Sequence, residues 1–75
     1  MDQVDNAILE TALTLLSEME RKGFEAKVTL AQVEASLPYA HKVKCNKAYI
    51  QLVLDEEFSK RYNGKEIVYF LKVKV

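Results

Sequence analysis

The chain has 75 residues, 49% of them hydrophobic and 29% charged, with two glycines and one proline. That composition excludes a disordered or collagen-like chain, and the length allows one domain, 1–75, with a thin core. Net charge is zero, yet residues 1–40 carry three cations against seven acids, −4, and residues 41–75 carry eight against four, +4. Such asymmetry suggests a face that meets an anion, against the plainer reading of a mixed solvated surface.

A lone cysteine, Cys45, excludes an internal disulfide and suits a reducing interior. No run is apolar enough to span a bilayer, and no basic-then-apolar leader opens the chain. A cytoplasmic location without a membrane partner is therefore expected.

The first element is a helix. Val4, Ile8, Ala12, Leu15, Leu16 and Met19 recur at three- and four-residue spacing, with Leu9 and Leu13 widening the stripe. Asp2 or Asp5 suits its positive end, and Arg21 and Lys22 suit its negative end. Gly23 supplies a left-handed stop, after which Phe24 would pack back onto Met19. Glu25 to Val28 reads as a small strand. Thr29 and Gln32 then form a capping box, with Val28 and Val33 at hydrophobic-staple positions. Leu30, Val33 and Leu37 stripe a helix of about two turns, which Pro38 closes.

Pro38 to Val43 reads as a connector. Asn46 is a good cap for a further helix, in which Tyr49, Ile50, Leu52, Val53 and Leu54 would face inward and Lys44, Lys47, Gln51 and Asp55 outward. Two features oppose it. Asp55, Glu56 and Glu57 sit badly at a helix C-terminus, and Tyr49 to Leu54 is also good strand sequence. The rival topology has a strand over 48–54, a short helix between Asp55 and Gly64, and a final strand. Under the helical reading, Phe58 to Leu71 folds over Asn63-Gly64, a strong two-residue turn signal. Ile67, Tyr69, Leu71, Val73 and Val75 would share one face, with Val68, Phe70, Lys72 and Lys74 on the other.

This order of helix, short strand, helix, helix and hairpin, with Tyr49 to Phe58 running into Asn63 to Leu71, resembles the winged helix-turn-helix superfamily. It is similar in pattern to PadR-like and MarR-like regulators and to small winged-helix proteins of archaea and their viruses. The resemblance covers about residues 8–72 and is a pattern of residue classes. It implies an α+β fold, a three-helix winged helix-turn-helix with a C-terminal β-hairpin wing. It also implies a small transcriptional regulator that lays its third helix in the major groove of duplex DNA and touches the backbone with the wing. By position, Lys42 (with His41) would meet phosphate. Lys44, Asn46, Lys47 and Gln51 would face the groove, and Lys60, Arg61 and Lys65 (with Asn63) would form the wing contact. Lysine and arginine neutralise phosphates, while asparagine and glutamine can pair with adenine. The turn between second and third helices is longer than the usual pattern. With no further helix after the wing, a homodimer or another protein partner stays open.

Other chemistry has weaker support. His41 and Cys45 are two potential ligands, too few for a structural zinc site, and Cys45 reads as a structural thiol. Tyr49, Phe58, Tyr62, Tyr69 and Phe70 could stack on bases, but most sit at core spacing; Tyr62, beside the hairpin tip, is the exception. Asp55 to Glu57 lacks a metal-loop pattern. No nucleophile motif or phosphate loop occurs, so neither an enzyme nor a cofactor is expected. The alternative function is a winged-helix protein–protein interaction module without nucleic acid, which zero net charge favours. Convergence of Lys44, Lys47, Lys60, Arg61 and Lys65 on one face clear of Asp55 to Glu57 would favour DNA; intervening acids would favour the protein partner. Lys47→Ala and Arg61→Ala are both expected to weaken DNA binding. Leu52→Ala is expected to cost about 2–5 kcal/mol if that side chain is buried.

Overall fold

The structure, a computed structural model, describes residues 3–72. They form α1 (Gln3–Arg21), β1 (Val28–Thr29), α2 (Leu30–Ser36), α3 (Tyr39–Lys42), α4 (Lys47–Glu57), β2 (Phe58–Tyr62) and β3 (Ile67–Leu71). The fold is α+β: four helices and a three-stranded antiparallel sheet in the order β1-β3-β2. Among the described residues no helix is long and apolar enough to cross a membrane.

Helix α1 buries Ile8, Ala12 and Leu16 almost completely, while Leu13, expected to widen that stripe, is 45% exposed. Gly23 stops the helix at φ 85°. The Phe24 N–H donates to Met19 C=O at 2.9 Å and the Gly23 N–H to Glu20 C=O at 3.0 Å, the two bonds of a Schellman motif. Only the backbone half of that expectation forms, because the Phe24 ring is largely exposed.

The capping box also forms. Gln32 N–H donates to Thr29 Oγ1 at 3.0 Å, and Thr29 N–H donates to Gln32 Oε1 at 2.9 Å. The strand expected over 25–28 is confined to Val28–Thr29. Pro38 forces Leu37 into extended geometry, ψ 134°, and so ends α2. The same proline opens a helix. Its fixed φ, −56°, suits helix entry, and its carbonyl accepts from the His41 and Lys42 N–H groups at 3.0 and 2.9 Å. The expected connector over 38–43 is therefore a short helix, and the expected count of three helices becomes four.

Residues 47–57 are helical, which overturns the rival strand. Asn46 caps them, its Oδ1 accepting from the Tyr49 N–H at 2.9 Å. Ile50, Val53 and Leu54 are buried, but Leu52 is 56% exposed, correcting its inward assignment. At about 100° per residue, Leu52 lies well outside the arc those three share. Of the acids near the C-terminus, Asp55 pairs with Lys60 at 3.1 Å, and the Lys72 Nζ donates to the Glu56 backbone C=O at 2.9 Å, where a helix end favours a cation.

The hairpin closes through four residues, 63–66, and not through a two-residue Asn63-Gly64 turn, since Tyr62 pairs with Ile67. Of Asn63 and Gly64, only Gly64 has positive φ, 92°. Asn63 works through its side chain, Oδ1 accepting from the Lys65 and Glu66 N–H groups at 2.9 Å each. The register slips by two relative to the shorter turn, so every side chain keeps its face. Val28, Phe58 and Tyr69 face the helices and are buried. Leu71, assigned to that same face, is 47% exposed. Val73, Lys74 and Val75 lie outside the described residues.

These burials set a paired test. Leu54→Ala should lower unfolding free energy by about 2–5 kcal/mol. Leu52→Ala should stay within about 0.5 kcal/mol of wild type. Urea denaturation of both variants checks the inside and outside of α4 together.

Candidate nucleic-acid interface

Helix α4 and the hairpin hold most of the cations selected by sequence, and local chemistry divides them. Lys44 and Lys47 are exposed at the N-terminal end of α4. Neither is ion-paired among the described residues. The N-terminus is the positive pole of the helix, so these lysines add to an existing field. Gln51 is half-buried one turn further along, on the same side as Lys47.

Asn46 caps α4 as expected, its Oδ1 accepting from the Tyr49 N–H, and it lies exposed between Lys44 and Lys47. Lys42 is half-buried, with Nζ 3.3 Å from Ala35 C=O in the last turn of α2. It braces α3 against α2. His41 lies beside it, with Nδ1 buried and without a hydrogen-bond partner among the described residues. It lines an open cleft of about 510 Å³ with Glu10, Thr14 and Glu18 of α1.

The hairpin cations part company. Lys60 is opposite Tyr69 in the register and so lies on the helix-facing side of the sheet. Its Nζ is 3.1 Å from Asp55 Oδ2 on α4. Arg61, one residue on, lies on the opposite side with Val68. Its guanidinium sits 5.3 Å from the Phe70 ring centroid, within cation–π range. Lys65 is exposed in the loop. The five cations therefore do not form one acid-free face: Asp55 meets Lys60, and Arg61 is turned away.

Asp55 is the junction of this region. Its Oδ1 accepts from the buried Tyr69 hydroxyl at 2.6 Å while Oδ2 faces Lys60. Desolvation alone would raise its pKa; the hydrogen bonds from Tyr69 and Lys60 and the Lys60 charge outweigh that and hold it below the usual carboxylate value. Tyr69 is pushed well above the usual phenol value by burial, then by its bond to Asp55 and that carboxylate's charge. The pattern of sequence alone assigned Tyr69 to a buried face. The need of a buried hydroxyl for an acceptor was the available clue to Asp55. A second tyrosine link was also missed: the Tyr49 hydroxyl donates to Asp5 Oδ1, joining α4 to the first turn of α1.

Cys45 Sγ donates to His41 C=O at 3.3 Å. Burial, then the nearby Glu34 charge, raises its pKa, which disfavours the reactive thiolate. The exposed surface also carries apolar groups: Leu52, Tyr62 and Leu71 are 56%, 67% and 47% exposed.

Comparison with family models, with curated proteins and with solved structures finds no match to this chain.

The Asp55 environment sets a pH dependence. Its folded pKa is depressed, so its contribution to stability is full above the unfolded value near 3.8 and is lost as pH falls through the lower folded value. Tyr69 is the reverse: its contribution holds below the unfolded value near 10.0 and is lost at more alkaline pH. Thermal melts from acid to alkaline pH should show both losses, and Asp55→Asn should flatten part of the acid limb. An unchanged acid limb in that variant would contradict this assignment.

Proposed function

We propose that this is a winged-helix domain that binds duplex DNA, chiefly through phosphates, with the N-terminal end of α4 at the duplex. The element order supports this reading: helix, short strand, helix, a helical turn, then a long helix running directly into a β-hairpin. The observation that carries it is the pair Lys44 and Lys47, exposed and not ion-paired among the described residues, at the positive pole of α4. Asp55, which neutralises Lys60, is eight residues further along, about 12 Å down the helix. The hairpin loop contributes Lys65. Asn46 and Gln51 are the side chains expected to read bases. Affinity therefore comes mainly from displaced counterions and falls steeply with salt.

A second reading, a winged-helix protein–protein interaction module, is favoured by the intervention of Asp55 among the five cations, at Lys60, and by the outer side of α4. The outer side of α4 beyond Lys47 presents exposed Ala48 and Leu52, with Glu56 following at the same spacing. That strip is apolar to acidic, and the Lys60–Asp55 pair lies close by in sequence.

Fluorescence anisotropy with a labelled duplex at two salt concentrations separates the readings. Wild type should bind at low salt and weaken as salt rises. Lys44→Ala and Lys47→Ala should each weaken binding across sequences and reduce the salt slope by about 1. Arg61→Ala, on the far side of the sheet, should leave affinity nearly unchanged, in contrast to the expectation from sequence. Absence of duplex binding at low salt removes the DNA reading.

A further inference from the structure

The chain contains three asparagines, Asn6, Asn46 and Asn63, and their settings differ. We infer that Asn63 is a site of spontaneous, water-consuming deamidation in the folded protein, so that the hairpin loop acquires a negative charge as the molecule ages. The inference is independent of the DNA reading.

Intramolecular deamidation needs the backbone nitrogen of the following residue to reach the asparagine Cγ. At Asn63 that residue is Gly64, which has no side chain to obstruct the approach. Beyond its chain neighbours, nothing lies within 4 Å of the position a Gly64 Cβ would take. Both residues are exposed in the four-residue loop. Asn63 Oδ1 accepts two backbone N–H groups, from Lys65 and Glu66, at 2.9 Å each. Those donors polarise the amide carbonyl and lie where negative charge develops when the nitrogen adds, the arrangement that stabilises an oxyanion in acyl transfer.

The atoms balance without any co-reactant but water. The Gly64 nitrogen loses its proton and bonds to Asn63 Cγ, and the Cγ–amide bond breaks as ammonia leaves, closing a succinimide ring. Water then opens the ring at either carbonyl. One opening leaves an aspartyl residue at position 63. The other routes the main chain through the former side chain as an isoaspartyl link. The aspartyl form keeps an oxygen facing the Lys65 and Glu66 N–H groups. The isoaspartyl form converts that oxygen into a main-chain carbonyl and lengthens the loop that sets the Tyr62–Ile67 register.

The other asparagines are the internal controls. Asn6 is followed by Ala7 within α1, where helical geometry holds the backbone nitrogen. Asn46 is followed by Lys47, the first residue of α4, and its single Oδ1 bond runs to the Tyr49 N–H.

The test incubates the full chain at mildly alkaline pH, with samples digested and mapped by mass spectrometry. The Asn63 peptide should lose its amide and split into two chromatographically distinct products, while the Asn6 and Asn46 peptides keep theirs over the same interval. Intact protein should shift by one charge toward the acidic side on ion exchange, and Asn63→Gln should abolish that shift. A parallel sample in urea guards against reading denatured chain as native. Persistence of the Asn63 amide in the folded protein while the urea sample converts would overturn the inference, as would equal conversion at all three asparagines.

Discussion

A fully buried tyrosine in the middle strand needs an acceptor for its hydroxyl, and the placement of α4 follows from that need. Tyr69 is 0% exposed on β3, between β1 and β2. Its hydroxyl meets Asp55 in the last turn of α4, and Asp55 in turn holds Lys60 of β2. One carboxylate thus joins a helix to two strands. A hydrogen bond to a charged group contributes about 1.5–3 kcal/mol, and an unsatisfied buried hydroxyl costs about 1–3 kcal/mol. Against a total of roughly 4–11 kcal/mol for a domain of this length, that single junction is a large share. It also explains why acids are tolerated at a helix C-terminus: Asp55 has two partners, and Lys72 reaches the Glu56 carbonyl.

The same junction divides the surface chemistry. With its C-terminal end held against the sheet through Asp55, α4 leaves its N-terminal end and Lys44 and Lys47 exposed. Lys60 is drawn into the junction, and strand alternation turns Arg61 to the opposite side over Phe70. The +4 balance of residues 41–75 is therefore not one basic plate. Among the described residues it is a cationic helix end, a lysine in the hairpin loop, and Lys42, Lys60, Arg61 and Lys72 engaged in contacts within the fold. Among the described residues of 41–75, the cations left exposed outside those contacts are therefore few: Lys44, Lys47 and Lys65.

Features set by local chemistry were legible in the sequence. Gly23, the Thr29–Gln32 box, Pro38 and Asn46 each act through neighbours within a few residues, and each appears with the expected backbone geometry. The rest depends on contacts that spacing does not encode. Pro38 reads as a stop, while its fixed φ also starts α3. Asn63-Gly64 has the pattern of a two-residue turn, while the Asn63 side chain closes a longer loop by accepting two N–H groups. Leu52 is apolar and so reads as inward, but the arc of α4 against the core is narrow and leaves it outside. For the candidate site, residue type located the lysines, yet it could not show which were already engaged. The Lys60–Asp55 bond spans helix and strand, and the Lys42–Ala35 bond spans two helices.

The direct test is a double-mutant cycle between Asp55→Ala and Tyr69→Phe, followed by urea denaturation with Lys60 intact. If the hydroxyl and the carboxylate act as one junction, the two losses are non-additive, with a coupling energy of at least about 0.5 kcal/mol. Strictly additive losses would mean that the Tyr69 hydroxyl and the Asp55 carboxylate do not act together in holding α4 against the sheet, and the central role given to this contact would be wrong.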